Sequence, residues 1–473
     1  MECSRFFING EWRTSAKTRP VVNPFTNTSV GEVYQAGPKD IADAIDAAVT
    51  AFQETRRLPS YARAEILSFI AREIDARKED FAQLITTETG KPITFSRAEV
   101  DRSVFTFTYA AEEAKRIEGA VLPLDLSVQS ANRFGMVRRF PLGPIGGITP
   151  FNFPINLVAH KVAPSIAAGN TIVLKPSSNA PMTALLLAKI IEKSSHPKGA
   201  FNVVTCHATE VDQLVTDERV RLISFTGSPT VGWEIKARAG KKRVVLELGG
   251  NAGVIVDKGT DIGFAVKRIA QGSYGNAGQS CIAVQRVYVH ADIYDIFSEN
   301  FVALSKSIVV GDPSDDRTVV GPMITEDAAR EVESWIHEAI DSGARLLCGG
   351  NRKGAILEPT ILVDVKPDMK VSCQEVFAPV VTLERFHDFE SAVARVNNSR
   401  YGLQAGVFSN DMKNVFHAYN ELEIGGVIIN DYPTYRIDHM PYGGVKDSGF
   451  GREGIKYAIE DMTEMKLLAF NLS

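Results

Sequence analysis

Cysteine is scarce in this chain, with five in 473 residues, at positions 3, 206, 281, 348 and 373. No two of them form a CxxC pair, so neither a zinc site nor a disulfide framework is indicated. The odd count leaves room for a free reactive thiol. An excess of positive charge is also missing. The net charge is −5, which leaves no polybasic surface and makes nucleic acid an unfavoured partner. No apolar run reaches the ~18 residues that a membrane span requires. The start, Met1-Glu2-Cys3-Ser4-Arg5, lacks the apolar core of a signal peptide, so a cytoplasmic location is the default expectation. Internal repeats and low-complexity tracts are absent.

What is present is ordinary globular composition, 44% hydrophobic and 23% charged. A single core stops growing near ~250–300 residues, so two or more domains are expected. Residues 40–55 read as a helix capped by Asp40, with Ile41, Ala44, Ile45, Ala48 and Phe52 on one face. Helical spacing continues over 62–88, and 97–117 gives a third helix, which carries Arg102. Helices then alternate with short β-branched runs at 145–149, 171–174, 201–204, 222–225 and 244–248. That alternation predicts βα units and a parallel sheet. A second alternating region starts near Gly249 and includes the run 286–290, with helices over 391–398 and 410–421. Two stretches, 119–142 and 462–472, fit neither unit.

Three short segments carry chemistry. Cys281 ends the run Gly275-Asn276-Ala277-Gly278-Gln279-Ser280-Cys281, whose glycines permit close backbone approach by a substrate. Glu247 sits in Leu246-Glu247-Leu248-Gly249-Gly250, where an apolar strand meets a glycine turn and partial burial would raise a carboxyl pKa. Asn152, in Pro150-Phe151-Asn152-Phe153-Pro154, offers an amide donor. A thiolate nucleophile, a carboxylate base for water and an oxyanion donor make up a covalent thiol mechanism. The other four cysteines read as small buried hydrophobes.

These segments, in this order and at this spacing, resemble the aldehyde dehydrogenase superfamily, and the similarity runs from about residue 7 to 468. It implies an α/β fold in three parts. These are a variant Rossmann-type cofactor domain over 1–118 and 143–248, an α/β catalytic domain over 249–435, and a small β oligomerisation element over 119–142 and 455–473. The resemblance implies a homodimer or homotetramer and no metal. Two residues depart from the usual pattern: Phe151 stands where tryptophan is more common, and Ala378 where glycine is. Glu247 argues for hydrolysis to a free acid, since the branch that passes its thioester to coenzyme A usually lacks it. A non-catalytic scaffold would have no physical need to keep Cys281, Glu247 and Asn152 together.

The cofactor residues divide in the same way. Phe225-Thr226-Gly227-Ser228-Pro229-Thr230-Val231-Gly232 is a glycine turn opening a helix. Such a turn presents free N–H groups to phosphate, although an ordinary strand–helix turn has the same look. It matches the family's variant pyrophosphate turn, so Gly227, Ser228 and Gly232 carry over. Lys175 carries over for the adenosine ribose, and Glu375 and Phe377 for the nicotinamide ribose and ring. Ser178 lies three positions after the lysine, where many NAD-preferring relatives have glutamate. A carboxylate there would repel a 2′-phosphate. Serine removes that repulsion, so NADP is the expected cofactor, with NAD possible.

The expected substrate is a small aldehyde. Arg102 and Arg436 fall where branches of the family clamp an anionic tail, and His160 lies on the helix after Asn152. These three are the substrate-binding candidates for an aldehyde of the succinate semialdehyde, phosphonoacetaldehyde, sulfoacetaldehyde or glyceraldehyde 3-phosphate type. Ser280 stands where phosphate-tail relatives often have arginine, which favours smaller or singly charged acids. The segment 438–451 also resembles the lactaldehyde and glycolaldehyde branch, so a neutral hydroxyaldehyde is the alternative.

Overall fold

The computed structural model describes residues 3–472. The five β-branched runs form the centre of an eight-stranded sheet. Its parallel strands stand in the order Phe201–Val203, Thr171–Lys175, Pro144–Ile148, Leu222–Thr226, Arg243–Glu247. These strands are buried, Arg243 excepted, because helices cover both faces, as parallel sheets require. The period-2 alternation of a strand decides which face receives each side chain. Ile172 and Leu174 join the core shared with Ile70, Ile85, Phe107 and Val158, whereas Val173 joins Ile41, Ile45 and Ile223 on the other face.

The first helix runs Pro38–Thr55. Gly37, not Asp40, is the residue at its cap. Asp40 sits three positions in, and its carboxylate accepts the Gly37 N–H at 2.9 Å. Pro38 begins the helix because the N–H it lacks would have no partner there. The stretch 62–88 is two helices, Ser60–Ala76 and Lys78–Thr89, which meet at Arg77. Arg77 has φ −116° and ψ 24°, outside the helical region. The third predicted helix spans Ile93–Glu113.

A seven-stranded sheet follows, built from residues 252–429 with Val284–His290 near its centre. The chain then returns to the first sheet. The short strand Gly449–Phe450 pairs antiparallel with Arg243–Glu247, setting Gly449 opposite Glu247. The helix Ile455–Asp461 places Ile455 and Ile459 in the core of the first unit. Only the last strand, Thr463–Asn471, leaves it, pairing with Arg133–Pro141, which in turn pairs with Ala120–Pro123. This three-stranded sheet exposes Val121, Met465, Leu467 and Leu468. Among the described residues no helix is long and apolar enough to cross a membrane.

Candidate active site

A cavity of about 270 Å³ opens between the two large sheets and gathers Asn152, Glu247 and Cys281 with Arg102 and Arg436. Glu247 is the last residue of its strand, so its side chain emerges where the sheet ends. Cys281 follows a turn in which Asn276 and Ala277 both have φ 54°, left-handed backbone that costs a non-glycine residue energy and collects at functional sites. Gly278 continues it at φ 68°, and a Cβ there would overlap the carbonyl of Ala378. The turn therefore presses the thiol loop against the segment bearing Glu375 and Phe377.

Asn152 is buried, and its Nδ2 donates to the Gln279 carbonyl at 3.1 Å, tying the amide to the thiol loop. Its Oδ1 has no partner. Cys281 Sγ lies 3.0 Å from the Tyr442 hydroxyl. Burial pushes the Cys281 thiol up to about 12, against the pull of the Tyr442 hydrogen bond. Both carboxylate oxygens of Glu247 are buried without a hydrogen-bond partner. Burial, and then the neighbouring Glu453 carboxylate, push Glu247 well above the usual range. An unpartnered carboxyl of raised pKa facing a cavity is suited to taking a proton near neutral pH.

The end of the cavity bearing Arg102 and Arg436 is a charged network. Arg102 binds Asp438 through two hydrogen bonds, of 3.1 and 2.6 Å. Arg436 donates to Glu453 at 3.0 Å, and its guanidinium lies 3.7 Å above the Tyr442 ring centre. Its Nε is a buried N–H without an acceptor. Lys161 reaches Glu453 from the far side at 3.3 Å. Burial pushes Glu453 up, but the Lys161 and Arg436 charges outweigh it and hold this carboxyl down to about 2. His160 does not line the cavity. It lies behind the wall, fully buried, with Nε2 2.8 Å from Asp438 Oδ1. Burial and the Arg436 charge lower its pKa, so it stays neutral. It orients Asp438 and is not placed to meet a tail.

The cofactor candidates divide between two places. Gly227, Ser228, Glu375 and Phe377 line the same cavity as Cys281. Phe377 has φ 52°, and its ring meets that of Phe151 edge to face at 6.0 Å. Lys175 and Ser178 lie outside the cavity, at the end of the strand Thr171–Lys175, with Lys175 Nζ 3.5 Å from Ser178 Oγ. Three observations fit a dinucleotide. The helix Pro229–Arg238 has no side chain capping its N-terminus, so its N–H groups are free for phosphate. A Cβ on Gly232 would overlap Leu248, so that helix packs hard against the chain leaving Glu247. Glu375 stands at the turn beside Gly249, able to accept from a ribose.

Tyr442, Glu453, Asp438 and Lys161 belong to this site and are missed by motif reading. The run Gly451-Arg452-Glu453-Gly454 is visible in the sequence, but nothing local couples Glu453 to Lys161.

An α/β fold of two large sheets, with a thiol, an unpartnered carboxyl and an amide around one cleft, defines a class of thiol-dependent oxidoreductase. Residues 12–468 match the aldehyde dehydrogenase family, and the chain belongs to it. The 3-sulfolactaldehyde dehydrogenase of Priestia aryabhattai is 44% identical over 467 residues, covering 98% of each chain. The lactaldehyde dehydrogenase of Methanococcus aeolicus is 42% identical over 472 residues, covering 98% of this chain and 99% of its own. Aldehyde dehydrogenase 21 from Physcomitrella patens, solved with the reaction product succinate, superposes with a TM-score of 0.98 at 45% identity. The match covers 99% of this chain and 98% of the moss chain. Solved relatives hold NADP in some cases and NAD in others.

Proposed function

We propose that this enzyme oxidises a short aldehyde with a singly charged anionic tail, of the succinate semialdehyde or sulfo-aldehyde type, to the acid, with NADP as the preferred cofactor. The observation that carries the reading is the Arg436 guanidinium in the wall of the Cys281 cavity, whose buried Nε–H makes no hydrogen bond and has Asp438 Oδ1 3.8 Å away. A buried guanidinium N–H left without an acceptor is costly, and a carboxylate or sulfonate tail supplies the acceptor. Around it three basic side chains, Arg102, Lys161 and Arg436, face two carboxylates, Asp438 and Glu453. With Glu247 protonated, as its raised pKa favours, one added negative charge balances this set, whereas a doubly charged phosphate overfills it. The succinate held by the moss relative and the sulfolactaldehyde of the Priestia relative's name are tails of this kind.

The residues divide the chemistry. Cys281 attacks the aldehyde carbon, and Asn152 Nδ2 with the Cys281 N–H hold the oxyanion, a donor worth ~3–4 kcal/mol of barrier. A nicotinamide bound there would supply the hydride acceptor, which the protein positions. Glu247 then removes a proton from the water that cleaves the thioester. Gly227, Ser228, Gly232, Lys175 and Ser178 would hold the dinucleotide, with Glu375 and Phe377 at its nicotinamide end.

The test is kcat/KM with NADP for succinate semialdehyde against butanal, in wild type and in Arg436→Ala. A margin above ~30-fold that the substitution erases corresponds to a tail contact of ~2 kcal/mol. Equal rates in wild type would remove the charged tail. The second reading, a neutral hydroxyaldehyde such as lactaldehyde, is favoured by the engagement of Arg102 with Asp438 and of Arg436 with Glu453, and equal rates would put it first. We propose further that the three-stranded sheet joins subunits into a homodimer or homotetramer.

A further inference from the structure

Tyr442 has a position that the reaction scheme above leaves unused. Its hydroxyl is 3.0 Å from Cys281 Sγ, and its ring carries the Arg436 guanidinium at 3.7 Å from its centre. The phenol is buried with the thiol in one small apolar cluster that includes Ile282 and Leu403. The loop that delivers it is built for close approach. Gly443 has φ 155°, and a Cβ there would stand 2.9 Å from Glu247 Oε1. The next glycine, Gly444, has no room for a Cβ against Ser448.

We propose that Tyr442 is a catalytic residue that donates its O–H to the Cys281 sulfur, fixing the nucleophile and favouring its thiolate form. A phenol donates far better to a charged sulfur than to a neutral thiol, so the bond shifts the acid–base balance of the cysteine. Three other charged groups face the same sulfur. Glu247 from the strand end and Glu375 from the segment opposite oppose a thiolate, and Arg436 supports it. Burial also opposes it. Tyr442 is the group that supports the thiolate by direct contact. The cation on its ring face draws electron density from the phenol and strengthens the donor.

Protons and electrons balance simply. The thiol proton leaves to water before the attack, and the phenol keeps its own proton throughout. When the sulfur lone pair forms the C–S bond, the carbonyl π pair moves to oxygen, and the phenol loses its charged acceptor. Tyr442 therefore acts on how much thiolate is present, and less on the attack itself. A less basic thiolate is also a weaker nucleophile, with a Brønsted slope of ~0.4–0.5. Each unit by which Tyr442 lowers the thiol pKa thus gains about threefold in rate at neutral pH and gives a little back at high pH.

The inference rests on Cys281 being the nucleophile, and the experiment separates the two. On the full-length protein, iodoacetamide modification of the Cys281 peptide is followed by mass spectrometry from pH 6 to 11, in wild type and Tyr442→Phe, without any aldehyde. The whole range lies below the raised thiol pKa, so the readout is the alkylation rate. The expected result is a Cys281 rate at least threefold lower in Tyr442→Phe across the range, with aldehyde kcat/KM at pH 7 falling alongside it, while the Cys373 peptide of the same protein reacts as in wild type. An unchanged Cys281 rate, or an equal loss at Cys373, overturns the inference. Full aldehyde oxidation by Cys281→Ala would instead overturn the assignment of the nucleophile.

Discussion

Glu375 accepts the backbone N–H of Gly250 at 3.0 Å, and a Cβ on Gly249 would overlap its other carboxylate oxygen. The turn after Glu247 is thereby tied to the loop bearing Phe377. Burial raises the Glu375 carboxyl to about 7. A raised carboxyl pKa contributes stability that is fully present below ~4.5, the ordinary value, and is lost as pH rises through about 7. Gln at this position still accepts from Gly250 and never ionises. The Tm of Glu375→Gln should therefore gain on that of wild type between pH 5 and pH 8, by about 2 °C or more. Scanning calorimetry at the two pH values checks it, and a constant difference would remove Glu375 from the pH dependence.

Glu247 divides the reaction in two. Because its pKa is raised, its base form appears only as pH climbs above the ordinary carboxylate range. Thioester hydrolysis should climb with it. In Glu247→Gln the first turnover should survive as a burst of about one reduced cofactor per site, while steady turnover falls ~100-fold or more. Stopped-flow absorbance reads both phases. A lost burst, or an unchanged pH limb in the variant, would assign the base elsewhere.

Ser178 should set cofactor choice. Its Oγ donates to the Cys206 carbonyl at 3.3 Å and sits 3.5 Å from Lys175 Nζ, so a carboxylate placed there would pair with the lysine. Ser178→Glu is expected to lower kcat/KM for NADP by ~100-fold while leaving that for NAD within a few-fold, as repulsion of the 2′-phosphate requires. Parallel losses with both cofactors would mean a merely damaged pocket.

Met465 and Leu467 project from the same face of the final strand and are exposed in the single chain. If that face joins subunits, Met465→Asp with Leu467→Asp should halve the particle mass or more in light scattering. An unchanged mass would move the interface to another surface.

The sequence was a good guide wherever one segment decided its own structure. The strand over Leu222–Thr226 and the helices around it follow from local alternation, and Cys281, Glu247 and Asn152 stand out because glycine and proline runs bracket them. Asp40 was misjudged as a cap because a carboxylate three positions into a helix also satisfies the first turn, by accepting the N–H of the cap residue itself, here Gly37. Residues 62–88 read as one helix because the break at Arg77 has no proline or glycine to mark it. The network behind the cavity could not be read. Arg102 and Asp438 lie 336 positions apart, and Lys161 and Glu453 lie 292 apart, so their pairing depends on the return of the chain to the first sheet. The same return explains why His160, plausible as a substrate ligand from its place beside Asn152, is occupied by Asp438 instead.

That late return has a consequence for synthesis. A ribosome delivers Asn152, Lys161, Glu247 and Cys281 long before Tyr442, Gly449 and Glu453. Until the closing segment emerges, Lys161 has no Glu453 beside it, and the edge of Arg243–Glu247 has no Gly449–Phe450 to cover it. A nascent chain can thus build most of both sheets while Cys281 still lacks the Tyr442 hydroxyl beside it.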